Sequence, residues 1–325
     1  MMKINEILNK YHKIEIELLL THVLRKPKEF IFLHPGNNLT IKQFNNLQEL
    51  IKRRQKGEPV AYILGYRDFM GLRFRVTRDV LIPRPETEGL VERVISYVEA
   101  RRGVPSEDGL PRHAATGTLN ILDLGTGSGC IIISLAKHLQ NLTNVPNCKL
   151  FASDISAAAL KVAKQNAKTI FGKKSDTLEY VRNLRFFKSD LFQNVQGKFD
   201  IIIANLPYIP LKILRKHLHH KNRVKNIFSI KSKNIFYSAD DPFAALKYEP
   251  AFALTDGSNS WQIYRRFFEQ VGNHLSPGGK IILEIDPASR KLLNEYQKKY
   301  LPTGQIKFYK DFNNFWRYAE IKRAK

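Results

Sequence analysis

Apolar residues recur at helical spacing through the first part of the chain, residues 1–66. The clearest segment covers residues 40–56, where Thr40 and Gln43 have the spacing of a capping box and one apolar stripe follows. Gly57 directly after this segment supplies a C-terminal stop. An earlier amphipathic segment covers residues 14–24. The pattern predicts a small helical domain over residues 1–66.

The period changes to two at residues 66–76, where Leu72 and Phe74 alternate with arginines. Together with Met70-Gly71 as a turn, this alternation predicts a β-hairpin. Two prolines then interrupt regular pairing in the block at residues 81–88, and a helix is predicted from about 86 to 100. We therefore expect residues 67–85 to form a hairpin linker.

From residue 120 the chain repeats an order of strand, loop and helix. The predicted strands cover residues 120–124, 149–153, 184–188, 199–204, 280–285, 305–310 and 315–322. The predicted helices between them cover residues 130–139, 156–168 and 261–275. Such alternation indicates an α/β fold with a doubly wound, mostly parallel seven-stranded sheet over residues 86–325. The last two strands lack a predicted intervening helix, so we expect one of them to be antiparallel.

Charge adds a second feature, because 53 Lys and Arg against 30 Asp and Glu give a formal net charge of +23. Two interpretations stay open: contact with an anionic partner such as nucleic acid, or lysines solvated over the whole surface. Residues 211–240 depart from the strand–helix alternation and have eight cations and no acid between Ile209 and Ala239. We expect a solvated basic insert there, with contact to a ribonucleoprotein or a protein partner as the alternative.

Composition excludes several classes of protein. A hydrophobic fraction of 43% is globular, and the longest apolar runs are too short to span a bilayer. The first residues lack the apolar core of a signal peptide. Two cysteines, Cys130 and Cys148, cannot build a disulfide framework or a four-ligand zinc site. We expect a cytoplasmic protein with no metal site and no membrane contact.

The strongest local motif is the run Asp123-Leu124-Gly125-Thr126-Gly127-Ser128-Gly129 between a predicted strand and a predicted helix. In an open parallel sheet this turn borders the ligand crevice, and glycines let the backbone approach a ligand closely. Its spacing differs from that of dinucleotide folds, and no lysine follows to hold a triphosphate. The loop suits an adenosyl ligand without phosphates. A tight turn without a ligand is the alternative.

Two further acids follow predicted strands. Asp154 ends the second strand, where an acid can accept hydrogen bonds from ribose hydroxyls or cap the next helix, and both roles can hold at once. Asp190 follows the third strand and could accept a hydrogen bond from an adenine amino group, with Leu191 against the ring. An ordinary loop acid is the alternative for Asp190.

The run Asn205-Leu206-Pro207-Tyr208 ends the apolar strand at residues 199–204. The side-chain carbonyl of Asn205 and the main-chain carbonyl of Leu206 can accept two hydrogen bonds from one planar –NH2 group. Pro207 stiffens the turn, and Tyr208 supplies a flat face for stacking. The motif therefore predicts a site for a nitrogen conjugated to a carbonyl or an aromatic ring. The alternative is a strand end with a packed tyrosine.

Together the glycine run, Asp154 and the Asn205–Tyr208 motif resemble class I S-adenosylmethionine-dependent methyltransferases. Four other blocks narrow the resemblance to the bacterial release factor glutamine methyltransferases: residues 57–65, 69–72, 81–88 and 249–257. The block Ile82-Pro83-Arg84-Pro85-Glu86-Thr87-Glu88 is the most specific of them. The resemblance covers nearly the whole chain apart from residues 101–118 and 211–240.

The resemblance implies transfer of a methyl group from S-adenosyl-L-methionine to the side-chain nitrogen (N5) of a glutamine. The protein partner would be a class I peptide chain release factor, recognised in part by the helical domain, and nucleic acid contact would be compatible but not required. The implied cofactor-binding residues are Gly125, Thr126, Gly127, Ser128, Gly129, Asp154, Asp190, Leu191 and Asn205. The implied catalytic and substrate-binding residues are Asn205, Leu206, Pro207 and Tyr208.

One position departs from the family pattern, since Leu206 replaces the first of the two prolines usual between the Asn and the Tyr. The carbonyl needed as an acceptor survives the change, but the turn is expected to be looser. The four-residue motif also resembles that of ribosomal RNA adenine dimethyltransferases, which lack the block at residues 82–88. Ribosomal RNA adenine methylation and ribosomal-protein glutamine methylation are therefore the alternative functions.

Overall fold

The computed structural model describes residues 2–11, 14–100, 118–140, 147–172, 183–209, 246–257 and 261–324. The described residues belong to two compact units, one from Met1–Tyr66 and Ile213–Glu249, the other from Arg67–Lys212 and Pro250–Lys325. The predicted insert at residues 211–240 lies outside the described residues. The roles assigned to the predicted segments 1–66, 67–85 and 86–325 stay predictions.

The described residues of the first unit up to residue 64 are largely helical, as the periodicity of residues 1–66 predicts. Its helices are α1 (Ile4–Tyr11), α2 (Ile14–Leu24), α3 (Lys28–Leu33), α4 (Ile41–Gln55) and α5 (Val60–Leu64). The capping box before α4 is confirmed: the Gln43 N–H donates to Thr40 Oγ1 at 3.2 Å, and the Thr40 N–H donates to Gln43 Oε1 at 2.9 Å. Fully buried leucines such as Leu19 and Leu47 form this unit's own core.

The predicted hairpin is present as β1 (Tyr66–Phe69) and β2 (Leu72–Arg75), and from Arg67 onward it belongs to the second unit. Phe69 and Phe74 are buried and meet edge to face, with their ring centroids 6.0 Å apart. Both rings belong to the hydrophobic core on one face of the large sheet. The hairpin is therefore packed into the second unit.

The large sheet has seven strands in the spatial order β5-β4-β3-β6-β7-β9-β8. The bounds are β3 (Leu119–Leu124), β4 (Cys148–Asp154), β5 (Leu184–Lys188), β6 (Phe199–Asn205), β7 (Leu275–Glu284), β8 (Gln305–Lys310) and β9 (Trp316–Lys322). The first five pair in parallel, and β9 runs antiparallel to both of its neighbours. The predicted fold class and the antiparallel strand in the tail are both confirmed.

Helices cover both faces of this sheet: α6 (Glu88–Glu99), α7 (Cys130–Gln140), α8 (Ala157–Phe171), α9 (Ala251–Leu254), α10 (Trp261–His274) and α11 (Arg290–Tyr300). One core includes residues of α6, α7 and α8, and the other includes residues of α10 and α11. None of the described helices combines the length and the hydropathy needed to cross a membrane.

Two predictions in the tail differ from the structure. Helix α11 was not predicted, because only Leu293 and Gln297 are buried along it and its apolar stripe is correspondingly narrow. Strand β7 begins at Leu275, where a helix was predicted to end, and not at residue 280. The run Ser276-Pro277-Gly278-Gly279 has the composition of a turn. In the sheet it spans the register shift opposite Phe199 and Ile201.

Candidate active site

A cavity of about 570 Å³ lies in the second unit, beside the carboxyl ends of its central strands. Because parallel strands end at the same edge of a sheet, motifs far apart in sequence meet there. The cavity wall includes residues 124–128 of the glycine run, Asp154, Asp190, Leu191, Asn205, Leu206 and Pro207, whereas Gly129 is not part of it. It also includes segments to which the sequence assigned no ligand contact: residues 79–81, 83, 84 and 87, and part of residues 251–257.

The three glycines of the loop share a backbone conformation but differ in the space around them. Gly125, Gly127 and Gly129 have φ angles of 78°, 54° and 79°, in the left-handed region that disfavours side chains. A Cβ added to Gly125 or Gly127 would meet nothing within 4 Å, so these two present an open backbone surface at the cavity. A Cβ on Gly129 would lie 2.7 Å from Ile133 Cδ1, so this glycine permits close packing. The open surface favours a ligand over the alternative of an empty turn.

Asp154 braces this loop. Its Oδ2 accepts the N–H of Gly127 at 2.8 Å, and its Oδ1 accepts the N–H of Ser156 at 2.9 Å. Burial raises the pKa of Asp154, and these backbone donors oppose that rise. The prediction that Asp154 caps helix α8 is wrong, because the cap is Ser156, whose Oγ accepts the N–H of Ala159 at 3.1 Å.

A second buried carboxyl, that of Asp123, also stabilises the glycine loop. Asp123, near the end of β3, has no exposed surface, and Thr126 Oγ1 donates to its Oδ2 at 2.6 Å. Burial raises the pKa of Asp123 to about 7, against the lowering effect of the Thr126 hydrogen bond. This carboxyl is therefore partly protonated near neutral pH, which the sequence alone did not indicate.

Asn166 is a buried support that sequence reasoning missed. Its Nδ2 donates to the carbonyls of Ser128 at 2.9 Å and Arg75 at 3.0 Å, and its Oδ1 accepts the N–H of Arg75 at 2.8 Å. One side chain of α8 thus ties the hairpin to the glycine loop. The sequence signal that could have identified Asn166 is its position as a polar residue on the apolar face of the helix predicted at residues 156–168.

Asp190 and Leu191 lie on the cavity wall as a short turn after β5. Arg266 of α10 donates from Nη2 to Asp190 Oδ2 at 2.7 Å, so the predicted adenine contact would use Asp190 Oδ1. Leu191 is buried and has a φ of 50°, a conformation supported by a 2.7 Å hydrogen bond from Ser189 Oγ to its carbonyl.

The four residues of the motif at 205–208 do not all line the cavity. Asn205, Leu206 and Pro207 line the cavity, whereas Tyr208 is partly buried beside it and is not part of the cavity wall. The Tyr208 hydroxyl donates to Glu284 Oε1 at 3.3 Å. Burial, reinforced by the Glu284 charge, holds the pKa of Tyr208 well above its usual range, so the phenol stays protonated.

Thr87 and Glu284 are the other residues that sequence reasoning missed. Thr87 Oγ1 donates to Glu284 Oε2 at 2.7 Å, and Asn205 Nδ2 donates to Thr87 Oγ1 at 3.4 Å. Glu284 is only 1% exposed. The signal for Glu284 was an acid within the apolar run at residues 281–285.

Comparison with known proteins adds an independent finding. The chain matches the family described as PrmC N-terminal domain over residues 9–65 and the family described as Methyltransferase domain over residues 115–299. The release factor glutamine methyltransferase of Streptococcus pneumoniae is 32% identical over 87% of this chain and 81% of its own length. That of Coxiella burnetii is 32% identical over 85% of this chain and 79% of its own length.

Longer relatives match over only part of their length. The bifunctional methyltransferase of Rickettsia prowazekii is 34% identical over 87% of this chain, which covers 48% of that protein. The chain thus spans about half the length of these bifunctional relatives. Among solved structures, the hMettl16 catalytic domain in complex with MAT2A 3'UTR hairpin 1 has a TM-score of 0.50 and 13% identity, over 82% of this chain and 79% of that one. This likeness shows the fold alone.

Proposed function

Because this chain belongs to the release factor glutamine methyltransferase family, we propose that it methylates the N5 nitrogen of a glutamine in a class I peptide chain release factor. S-adenosyl-L-methionine is the proposed methyl donor. The observation that carries the proposal is the composition of one cavity wall. The open glycine loop lies on it together with Asn205 and Leu206, the two proposed acceptors for a substrate amide.

The residues at the loop fit an adenosyl cofactor that has no phosphates. The open backbone of Gly125 and Gly127 leaves room for a ligand, and the loop from Asp123 to Gly129 contains no cation for phosphate groups. Residues 125–128 would hold the cofactor, while Gly129 permits the close packing next to them; Asp154 would accept from the cofactor's ribose, and Asp190 and Leu191 would contact its adenine. When bound, the cofactor supplies a methyl group that its sulfonium charge makes electrophilic.

The substrate side then has to orient an amide, which is a weak nucleophile because its lone pair is delocalised. Asn205 Oδ1 and the Leu206 carbonyl would each accept one of the two amide hydrogens and so aim the nitrogen into the cavity. Tyr208, beside the cavity wall, would cover the plane of the amide from the outer side. Since its pKa lies above the usual range, Tyr208 acts through its ring and not as a base. Positioning of the two reactants is expected to supply most of the rate.

A glutamine and an adenine both present a planar –NH2 group, so the four-residue motif does not choose between them. Family membership and the match to the PrmC N-terminal domain support the glutamine. The deciding experiment offers purified release factor, ribosomal RNA and ribosomal protein side by side with labelled cofactor. We expect label on one glutamine of the release factor, mapped by mass spectrometry. A release factor with alanine at the mapped position should stay unlabelled, and label on RNA adenine instead would overturn the proposal.

A further inference from the structure

The carboxylate of Glu284 occupies an unusual position for an ionisable group. Glu284 is the last residue of β7, paired in register with Asn205 at the end of β6, and it is 1% exposed. A buried carboxylate is costly unless its oxygens accept hydrogen bonds. Here both oxygens do: Oε2 accepts from Thr87 at 2.7 Å and Oε1 accepts from Tyr208 at 3.3 Å. Neither Glu284 nor Thr87 has been assigned a contact with the substrate or the cofactor in the proposed methyl transfer.

The direction of these hydrogen bonds determines what Thr87 can do next. Thr87 Oγ1 donates to Glu284 Oε2, so the single hydroxyl hydrogen of Thr87 is committed to Glu284. A lone pair of Thr87 Oγ1 is then left for a donor, and Asn205 Nδ2 lies 3.4 Å away. Burial raises the pKa of Glu284, and the Thr87 hydroxyl, the charge of Arg317 and the Tyr208 hydroxyl oppose that rise.

The same chain of bonds orients the amide of Asn205. An asparagine amide has one donating and one accepting end, and the two are nearly equal in shape. With Nδ2 directed to Thr87, the accepting Oδ1 is the end left for a ligand. A reversed amide would place a carbonyl against the Thr87 lone pair and present a donor to a substrate –NH2 group, which itself has only hydrogens to offer.

We infer that Glu284 and Thr87 are positioning residues for methyl transfer: through one carboxylate they hold the Asn205 amide with its acceptor toward the substrate and anchor the Tyr208 ring beside it. This inference rests on the proposed function, because the substrate –NH2 group is what makes the amide orientation matter. Thr87 comes from the block before α6 and Glu284 from the last parallel strand. The substrate side thus depends on two segments outside the four-residue motif.

The test compares Thr87→Val, Thr87→Ser and Glu284→Gln in the full chain, with labelled cofactor and purified release factor. Valine keeps the shape of threonine without the hydroxyl, and serine restores the hydroxyl. We expect Thr87→Val and Glu284→Gln to lower kcat about 10- to 100-fold. The dissociation constant for cofactor, measured by titration calorimetry, should change by less than about twofold, because neither side chain belongs to the glycine loop. Thr87→Ser should recover most of the wild-type kcat.

A matched control is Glu320→Gln. Glu320 lies on β9, next to β7, and its carboxylate pairs with Arg93 and Lys280, each at 2.9 Å. The same substitution there removes a partly buried charge from the same sheet without touching the Asn205 network. We expect its kcat to stay within about twofold of wild type. A Thr87→Val protein with wild-type kcat, or a Thr87→Ser protein as impaired as Thr87→Val, would overturn the inference.

A second measurement separates this inference from the proposed function. In protein labelled with ¹⁵N-asparagine, the side-chain NH2 resonances of Asn205, assigned by Asn205→Asp, report its hydrogen bonding without any turnover. We expect them to shift and to exchange faster in Thr87→Val, and to stay unchanged in Glu320→Gln. If the wild type labels no release factor, the proposed function fails while this measurement still decides the network. If the wild type labels release factor and the Asn205 resonances do not respond to Thr87→Val, the network fails alone.

Discussion

The two sides of the cavity are built in different ways. On the glycine-loop side, the contacts that shape the loop join residues near each other in sequence: Thr126 to Asp123 across 3 residues and Gly127 to Asp154 across 27. On the Asn205 side, Thr87 reaches Glu284 across 197 residues, and Asn205 reaches Thr87 across 118. The first side is therefore built mainly within one strand–helix–strand unit, β3-α7-β4, and the second exists only once the sheet has formed.

Because the two sides are built differently, substitutions on them are expected to act in different ways. A change in the glycine loop acts on backbone conformation, where a side chain in the left-handed region costs about 1–2 kcal/mol. A change on the Asn205 side acts on the direction of hydrogen bonds, where a buried polar group left unpaired costs about 1–3 kcal/mol. Asn166 is an exception on the glycine-loop side, because it contacts the loop from a position 38 residues further along the chain.

The largest expected effect belongs to Asn205. Asn205→Ala removes the proposed acceptor for the substrate amide, so kcat should fall about 10²- to 10³-fold. Cofactor affinity should stay within about threefold, because the Asn205 side-chain carbonyl is assigned to the substrate amide and the glycine loop, with most of the proposed cofactor contacts, is untouched. Single-turnover methyl transfer and calorimetry measure the two quantities separately. Asn313→Ala, in the exposed turn before β9, is the control and should leave both unchanged. A wild-type rate for Asn205→Ala would remove Asn205 from the mechanism.

Next in size is a pH effect on the glycine-loop side. The folded protein keeps the Asp123 proton up to about pH 7, whereas the unfolded chain releases it near 3.8. The folded state therefore binds more protons between these values, and the free energy of unfolding should fall as pH rises through this window, by roughly 1 kcal/mol per unit. Urea unfolding of the wild type and of Asp123→Asn at pH 5 and pH 8 tests this.

The Asp123→Asn protein should lack this part of the pH dependence, because asparagine carries no titrating proton and still accepts from Thr126. Asp68→Asn, an exposed partner of Arg73, should behave as the wild type does. Parallel pH profiles for the wild type and Asp123→Asn would show that Asp123 titrates at its ordinary value.

A smaller effect is expected for Gly127→Ala. Alanine adds strain at a φ of 54° and fills part of the surface open to a ligand, so cofactor affinity should fall about tenfold. Gly65→Ala is the matched control, because Gly65 has a φ of 81°, equally open space and no place on the cavity wall. Both variants should lose about 1 kcal/mol of stability, and only Gly127→Ala should lose affinity. Equal affinity in the two would place the cofactor elsewhere.

The smallest effect is expected for Leu206→Pro, which restores the usual family motif. Its carbonyl stays available and its turn stiffens, so kcat should be retained or improved by up to about threefold. Leu206 is only 3% exposed, so the smaller proline should cost about 1 kcal/mol of stability through lost packing. Thermal unfolding and the release factor assay measure the two effects. A loss of activity beyond tenfold would mean that the turn needs leucine here.

Much of the fold follows from periodicity and punctuation. The glycines at residues 125, 127 and 129 all adopt positive φ, a conformation that favours glycine, and for this reason the loop could be predicted from the sequence alone. Strand ends at Asp154 and Asn205 lie where apolar runs stop. Helix α11 escaped prediction because its buried face is only two residues wide.

Sequence by itself determined the order of the strands, the presence of the glycine loop and the four-residue motif, because each is recognised from residues within a few positions of one another. Tertiary structure decided the partners: Glu284 for Tyr208 and Thr87, Arg266 for Asp190, and Asn166 for the glycine loop. These pairings follow from sheet register, such as Asn205 opposite Glu284, and from helix packing. Register is a property of the assembled sheet, and no local pattern of apolar and polar residues specifies which distant side chain will meet a given hydroxyl or carboxylate.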